Sequence, residues 1–580
     1  MKTSRIVATA STAMLCALVA SQAFGTEPKT GGVLKLVGAG DVPSFDPTSA
    51  RSASLFLHRA LTRTLLAFPT SADPAIAGKP VGDLAEAVPA AEEGGLAYTI
   101  KIRPGAQWAS EPARQITAAD AARGFKRLCN PVQPTYAPTY FVGIISGMEE
   151  FCAGFAAVPA EIGAIRDYVE GNQISGVEVV DDLTLRIKLE KPTPDFLSIL
   201  ALTASAPVAV EMLDYLPNSP DFRRNYVSSG PYKIDEYIVG ESISLDRNPN
   251  WSAEADPLRK AYVDGIEVAF GTPDAGKTQR MIEAGDIDGY FDLSIATADL
   301  TRIMANPDDP QLLQFADGAV NPILVLNIQS PNNNSALADV RVRQAINYAA
   351  NKAAIVQVGG GPAVKEATNQ VLTSSVLGYE AFNLYPTEGN QGDVEKAKAL
   401  MAEAGFPDGL ELKFSYAAGG RYDLYAAALQ ADFAKANIRL VMQPAPSRTV
   451  YSQMYQNKEA VKAGAWDIGM TNIKPDWVGD AARTMVVPMF HGEACETSST
   501  NWTCYNNPEV NALIEKALTA ESPEAAAASW KEADRLIMAD APVIPLITGK
   551  ISLYGSKRLR NTDINLLFNN VDPTLVWLDQ

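Results

Sequence analysis

The segment that most constrains the fold is residues 339–358, which reads D-V-R-V-R-Q-A-I-N-Y-A-A-N-K-A-A-I-V-Q-V. Asp339 is suited to cap a helix, because its carboxylate accepts hydrogen bonds from backbone N–H groups of the first turn. Four apolar residues then recur at the spacing i, i+3, i+4 and i+7, on one helical face: Val342, Ala345, Ile346 and Ala349. A second helical run begins at Asn351 and ends before Gly359. The pattern predicts an amphipathic helix packed on a sheet, followed by a shorter helix.

Residues 1–25 have the composition of a secretory signal peptide. A basic start precedes an apolar run from Ile6 to Ala20, and small residues follow up to Gly25. The run is shorter than the roughly 20 apolar residues that cross a bilayer. Cys16 follows Leu15, whereas a cysteine that receives a lipid follows a small residue. We therefore expect a soluble secreted protein without a lipid anchor.

Length and charge narrow the class of protein. The chain has 580 residues and a formal net charge of −18. A length this far above that of a single-core domain predicts two or three domains. An acidic surface repels nucleic acid and anionic membranes, and it suits small cationic or zwitterionic ligands. We therefore expect no nucleic-acid partner.

Four cysteines follow the signal peptide: Cys129, Cys152, Cys495 and Cys504. An even number of cysteines in an oxidising compartment predicts disulfides. Four cysteines allow three connectivities, and their spacing alone does not choose between them. The local pairs 129–152 and 495–504 are the simplest. We predict that Cys495 and Cys504, which flank a short polar loop, form one of the pairs.

The sequence contains no recognisable catalytic constellation. The motifs G-x-S-x-G, H-E-x-x-H and the P-loop do not occur. Of the two histidines, His58 lies in a helical pattern with an apolar face, which favours a structural role. His491 precedes Cys495 at a spacing that suits zinc, although a secreted protein favours a disulfide there. We therefore predict no enzyme, no metal and no cofactor, and keep a secreted hydrolase as an alternative.

Strand and helix patterns alternate along the chain, which predicts an α/β fold with mixed sheets. Alternation of apolar and polar residues predicts hairpins within residues 177–191 and 228–251. Helical patterns begin with capping residues at Thr117, Asp393 and Ser522. No internal repeat or long Ser/Gly linker interrupts the series.

Several of these segments match a known family in order along residues 32–555. They include D-V-R-V-R-Q-A-I at 339–346, R-P-G-A-Q-W at 103–108, G-E-S-I-S-L-D-R-N-P-N-W at 240–251 and P-V-I-P-L at 542–546. The chain thereby resembles the family 5 solute-binding proteins of ABC importers, which are extracytoplasmic receptors for peptides, nickel and related solutes. The resemblance implies a two-lobed fold of the periplasmic-binding-protein type II kind, with an extra subdomain in the first lobe. It also implies lobe limits: 26–62, 176–268 and 548–580 for the first lobe, 63–175 for its extra subdomain and 269–547 for the second lobe.

The stretch W-D-I-G-M-T-N-I-K-P-D-W-V-G-D, residues 466–480, is the candidate ligand segment. A strand pattern ends at Lys474-Pro475, which leaves Asp476 and Trp477 in a loop. A carboxylate beside an indole suits a cationic amine, although an exposed aspartate and a core tryptophan are the commoner case. The resemblance implies that Asp476 holds the α-ammonium of a peptide. The second aspartate of the family pattern is Asp480 here, one residue later than usual, and Ala481 replaces the family's proline.

The resemblance implies further ligand contacts in the first lobe. The segment D-V-P-S-F-D-P, residues 41–47, leaves the first strand and would pass along the cleft, although its residues also form a good turn. The contacts expected from it and from the second hairpin are Ser44, Phe45, Thr48 and Ser229.

These observations predict a peptide receptor of an ABC importer. We expect a monomer in the periplasm or its equivalent, which closes two lobes on a peptide by a hinge motion and delivers it to a membrane permease. A receptor of the same fold for a nickel chelate, haem or an oligosaccharide is the alternative within the family. The sparse histidines disfavour histidine-ligated metal or haem, whereas seven tryptophans leave sugar stacking open.

Overall fold

The structure is a computed structural model that describes residues 27–50, 53–132, 137–271, 274–497 and 500–579. The predicted signal peptide, with Cys16, lies outside these residues. Within them, none of the helices combines the length and the apolar composition that a membrane crossing requires.

The first sheet has five strands, in the spatial order Tyr232–Ile238, Ser242–Arg247, Gly265–Ala269, Val33–Val37 and Gly289–Tyr290. The strand Val33–Val37 pairs in parallel with both of its neighbours, and Leu36 lies opposite Val268. The hairpin predicted within residues 228–251 is confirmed as the antiparallel edge of this sheet. Five helices accompany it: Ala53–Leu61, Pro74–Ala77, Pro220–Arg224, Ala275–Ala284 and Thr297–Ile303.

The second sheet also has five strands, in the spatial order Ile438–Ala445, Leu410–Ala417, Ile468–Ile473, Val320–Leu326 and Val543–Pro545. The first three run parallel, and the last two make the antiparallel pairings, so the sheet is mixed as predicted. Helices that accompany this sheet are Val340–Ala349, Lys352–Val358, Val394–Glu403, Arg421–Lys435, Lys458–Lys462, Ala482–Phe490, Ala494–Thr497, Pro508–Leu518 and Pro523–Asp540. A π-helical turn spans Val450–Tyr455.

The helical segment that begins at Asp339 forms as its pattern predicts. The Asp339 carboxylate accepts a hydrogen bond from the backbone N–H of Arg341, and the helix Val340–Ala349 follows. Its apolar stripe is buried, with Val342 fully inaccessible to solvent. Asn351 caps the second helix, Lys352–Val358. Local side-chain chemistry therefore sets both helix starts, and burial of the stripe fixes which face meets the sheet.

A smaller antiparallel sheet has the order Ala91–Glu92, Ala97–Lys101, Thr184–Lys188 and Val177–Asp181. It contains the hairpin predicted within residues 177–191. The helices Ala118–Arg127, Met148–Ala156, Ile162–Gly171 and Phe196–Ile199 belong to the same part of the chain. The helix Ala118–Arg127 begins with the predicted capping box between Thr117 and Asp120.

Two main apolar cores result, as the two-lobed α/β fold requires. One surrounds the first sheet, and it extends along the chain through residues 270–315. The other is continuous between the second sheet and the smaller antiparallel sheet. A three-stranded sheet of Leu312–Ala316, Ile547–Tyr554 and Lys365–Ala367 lies where the chain passes between the two five-stranded sheets. The exact lobe limits remain predictions.

Short two-stranded ladders complete the strands: Leu66–Ala67 with Val81–Gly82, Gln107–Trp108 with Arg114–Gln115, Leu559–Arg560 with Trp577–Leu578, and Ile564–Asn565 with Asn570–Val571.

Candidate functional site

The candidate ligand segment contains the strand Ile468–Ile473, the central strand of the second sheet. Five of its six residues are buried, because the sheet is covered on both faces. Pro475 cannot donate a ladder hydrogen bond, so the strand ends and a loop leads to the helix Ala482–Phe490. The loop is tied to a neighbouring segment by two backbone hydrogen bonds, from Gly479 to Ser375 and from Leu377 to Gly479.

Asp476 and Trp477 lie together in this loop, as predicted. The Asp476 side chain is exposed, and it accepts a hydrogen bond from the hydroxyl of Tyr140. Tyr140 comes before the hairpin within residues 177–191 in the chain. The Asp476 backbone N–H donates to the Thr484 hydroxyl at 3.1 Å. Trp477 is buried and packs edge-on against Tyr140, with ring centroids 5.7 Å apart. The loop therefore contacts a segment more than three hundred residues away in the chain.

Asp480 makes a second set of contacts between the loop and residues far from it in the chain. Its carboxylate accepts hydrogen bonds from Trp477 Nε1 at 2.6 Å and from the Ser198 hydroxyl at 2.9 Å. Beside it, Arg483 forms an ion pair with Asp195 at 3.0 Å. Burial, with a smaller contribution from Asp195, raises the pKa of Asp480 to about 6. Burial also raises the pKa of Asp195, although Arg483 opposes that shift.

A small cavity lies beside the loop. Its walls come from both halves of the molecule, each built around a five-stranded sheet, and from the segment between them. The lining residues are Pro74, Ala316, Asp317, Gly318, Ser375, Lys474, Pro475, Asp476, Trp477, Val478, Leu566, Leu567 and Asn569. Three charged side chains line it, namely Asp317, Lys474 and Asp476. Burial lowers the pKa of Lys474, and the two carboxylates oppose that shift. A mainly apolar cavity with a few converging charged groups is the usual form of a site for a small ligand.

The predicted first-lobe contacts do not line this cavity. Ser44, Phe45 and Thr48 are buried in a loop around Asp46, whose carboxylate accepts both the backbone and hydroxyl hydrogen bonds of Thr48. Asp46 also forms an ion pair with Arg127 at 2.7 Å. In this structure the loop therefore has a packing role, and its ligand contacts remain a prediction.

Ser229 is likewise buried away from the cavity. Its hydroxyl accepts a hydrogen bond from the backbone N–H of Arg63 at 2.8 Å, and its own N–H donates to the Leu61 carbonyl. The backbone N–H of Ser229 thus holds the end of the helix Ala53–Leu61, and its hydroxyl holds the segment that follows. A ligand contact by Ser229 also remains a prediction.

The predicted disulfide between Cys495 and Cys504 is present, and the remaining two of the four cysteines form a second one. Cys129 pairs with Cys152, and Cys495 pairs with Cys504, with Cα atoms 5.3 and 4.6 Å apart. Cys495, Glu496 and Cys504 offer three ligand atoms within 4.8 Å of one another. A disulfide sulfur is not the thiolate that binds a metal, so this group does not form a zinc site while oxidised.

The two histidines lie away from the cavity. His491 Nε2 lies 3.2 Å from a Glu515 carboxylate oxygen. His58 is fully buried, and its Nδ1 is hydrogen-bonded to the Thr62 hydroxyl at 2.8 Å.

Sequence reasoning missed four residues around the loop. The strand pattern predicts only that Lys474 ends a strand, although it lines the cavity. Asp195 and Arg483 are 288 positions apart, and no periodicity connects them. Asn569 lies in the C-terminal return segment, which showed no motif. The sequence offers one signal for these four residues, which is the charge of Lys474 two residues before the candidate aspartate.

Two lobes with a small, mainly apolar cavity between them are the arrangement found in solute-binding proteins of the periplasmic type. The family model "Bacterial extracellular solute-binding proteins, family 5 Middle" matches residues 79–491. The chain belongs to this family.

Curated relatives in the family carry names that state different solutes. The chain is 26% identical over 472 residues to "Heme-binding protein A" of Haemophilus influenzae, which covers 78% of this chain and 76% of the relative. It is 25% identical over 490 residues to "Di/tripeptide-binding protein 4" of Pseudomonas aeruginosa, which covers 82% and 83%.

Solved structures share the fold over nearly the whole chain. "Clavulanic acid biosynthesis oligopeptide binding protein 2" superposes with a TM-score of 0.84 at 25% identity, covering 95% of this chain and 96% of that one. The periplasmic binding protein DppA from Helicobacter pylori, in complex with the peptide STSA, gives 0.71 at 20% identity and covers 95% and 99%.

Proposed function

We propose that the chain is an extracytoplasmic receptor that captures peptides between its lobes and delivers them to the permease of an ABC importer. The observation that carries this proposal is the cavity between the two halves, with the Asp476 carboxylate in its wall. A peptide ammonium taken from water must be paired with an anion, since an unpaired charge in a closed site costs several kcal/mol. Asp476 supplies that anion next to the indole of Trp477. The chain then acts as a periplasmic monomer without chemistry of its own.

The composition of the cavity supports a peptide over the other solutes of the family. Neither of the two histidines in the chain lines it, so a histidine-ligated haem or nickel ion is not favoured. One aromatic ring, that of Trp477, lines it, and that ring is held by Asp480 and Tyr140. Stacking of several sugar rings requires more exposed aromatic faces than this wall offers.

A mixture of peptides separates a receptor from a hydrolase. The purified protein is incubated with short peptides of mixed sequence, separated from free peptide, and examined by native mass spectrometry. The proposal predicts complexes whose added mass equals that of intact peptides. Peptide fragments accumulating in solution, or complexes with haem but never with a peptide, would contradict it.

A further inference from the structure

The disulfide between Cys495 and Cys504 lies beside a cation. Nζ of Lys458, at the start of the helix Lys458–Lys462, is 3.8 Å from Cys504 Sγ and 3.9 Å from Cys495 Sγ. Backbone groups hold the ammonium there, because Nζ also donates to the carbonyl oxygens of Cys495 and Asn501. Both cysteines and Lys458 are half-buried, so solvent and small reagents reach this group.

The charges around the two sulfur atoms differ. A carboxylate oxygen of Glu496, an exposed residue, is 3.5 Å from Cys495 Sγ. A nearby ammonium stabilises a thiolate, and a nearby carboxylate destabilises one. The contact with Lys458 therefore makes the S–S bond easier to break, since exchange is faster when the leaving thiolate is more stable. Glu496 disfavours negative charge on Cys495, so the charge goes to Cys504.

We propose that Cys495 and Cys504 form a thiol–disulfide exchange site, with a dithiol as its reductant. A thiolate of the dithiol attacks Cys495 Sγ, a mixed disulfide forms there, and the bond between the two cysteines breaks. The electron pair of that bond leaves on Cys504 Sγ, as a thiolate beside Lys458. The second thiolate of the reagent then attacks the reagent's own sulfur in the mixed disulfide and releases Cys495, which takes a proton from water. The protein gains two electrons, and the dithiol becomes a disulfide.

Reduction at this site frees one end of the segment that contains Trp502. The Trp502 ring packs against Tyr455, whose hydroxyl accepts a hydrogen bond from the backbone N–H of Met470 in the strand Ile468–Ile473. The exchange site is thereby connected by packing to the candidate ligand segment. Its chemistry goes beyond the proposed function and does not depend on which solute the protein binds.

The first arm of the test measures how fast dithiothreitol reduces each disulfide of the folded protein. Samples are quenched in acid at intervals and mapped by mass spectrometry, so the pair Cys129–Cys152 is an internal reference. We expect Lys458→Met to slow the reduction of Cys495–Cys504 by roughly threefold to tenfold, because the leaving thiolate loses its cation. Lys458→Arg should keep most of the rate of the parent, because it keeps the charge.

Lys413→Met is the matched control. Lys413 is also a half-buried lysine whose Nζ donates to a backbone carbonyl, that of Gly464. The control should leave the rate at Cys495–Cys504 unchanged, and thermal unfolding shows whether each variant is folded. A folded Lys458→Met protein that loses this disulfide as fast as the parent would overturn the proposal.

The second arm uses the unmodified protein, so it does not depend on the folding of a variant. A brief reaction with 2-mercaptoethanol, a neutral monothiol, is quenched in acid, and peptide mapping locates the mixed disulfide. The proposal predicts the adduct on Cys495 and a free thiol at Cys504. An adduct on Cys504 at least as abundant as that on Cys495, or no adduct on either cysteine, would overturn it.

Discussion

At the scale of single residues, His58 makes the stability of the protein depend on pH. The ring is fully buried on the helix Ala53–Leu61, and burial lowers its pKa from 6.5 to about 4. The folded protein therefore holds the ring neutral, whereas the unfolded chain takes up a proton below pH 6.5. This contribution to stability is complete above pH 6.5 and is lost as the pH falls toward 4.

We expect His58→Asn to remove this dependence, because the amide can keep the bond to Thr62 but does not titrate. Between pH 7 and pH 4 the free energy of unfolding should fall by about 3 kcal/mol less in the variant than in the parent. Urea unfolding at both pH values measures this difference. Asp480 and Asp534, whose pKa values burial raises to about 6, favour the folded state at low pH in both proteins, so the comparison cancels their effect. Parallel pH profiles would contradict the buried neutral ring.

Residues that act through their immediate neighbours in the chain were predictable. Asp339 and Thr117 accept hydrogen bonds from backbone groups two or three positions away, and the sequence shows those distances directly. Ser44 and Lys474 show where this reasoning ends. Burial against residues far along the chain decides that Ser44 is packed around Asp46 and that Lys474 faces a cavity, and no local pattern contains that information.

At the scale of elements, the disulfide between Cys495 and Cys504 supports the strand that carries the site. The loop that it closes contains Trp502, whose ring packs against Tyr455 with centroids 4.7 Å apart. The Tyr455 hydroxyl accepts a hydrogen bond from the backbone N–H of Met470, in the strand Ile468–Ile473. The loop is therefore held against the residues that place the candidate ligand segment.

Replacing both Cys495 and Cys504 by serine should lower the free energy of unfolding by about 2–3 kcal/mol, the loop-closure contribution of a crosslink spanning about ten residues. The urea midpoint of the double variant should fall accordingly. A midpoint equal to that of the parent would show that the loop is ordered by the packing of Trp502 alone.

Prediction of the elements succeeded where their pattern was local. The hairpins within residues 177–191 and 228–251 have turns and alternation that the sequence displays, and both are present. Which sheet a hairpin joins is set by pairing with distant strands. The hairpin within 177–191 pairs with the strand Ala97–Lys101, and no pattern in the sequence of the hairpin identifies that partner.

At the scale of the whole molecule, the two halves meet through the loop that carries Asp476. The ion pair between Arg483 and Asp195 and the hydrogen bond from Ser198 to Asp480 join the loop and the helix after it to the part of the chain that contains the smaller antiparallel sheet. Gly479 adopts a φ of 86°, and a Cβ atom there would lie 2.8 Å from the Gly78 carbonyl oxygen. Glycine at this position therefore permits the close approach of the two backbones.

Arg483→Met should weaken the contact that Arg483 makes with Asp195, because it leaves Asp195 buried without its cation. We expect a larger radius of gyration than in the parent by small-angle X-ray scattering, and recovery of the smaller radius with a saturating peptide. Arg439→Met, which removes an exposed arginine paired with Glu411 in the second sheet, is the control and should not change the radius. Equal radii for the Arg483 variant and the parent would contradict a role of this ion pair in closure.

The alternation of strands and helices, with the motifs of the family, predicted the two-lobed α/β class correctly. The contacts between the halves escaped prediction because each joins residues several hundred positions apart. The central claim is that a peptide binds between these halves with its ammonium at Asp476.

Calorimetric titration of the parent and the Asp476→Asn variant with a free-amine peptide tests this claim most directly. Asparagine keeps the size of the side chain and removes its charge, so binding should weaken by about 1.5–3 kcal/mol, or roughly tenfold to a hundredfold. The same peptide acetylated at its amino terminus should bind poorly, and equally, to both proteins. A variant that binds the free-amine peptide as tightly as the parent would contradict the account and remove Asp476 from the site.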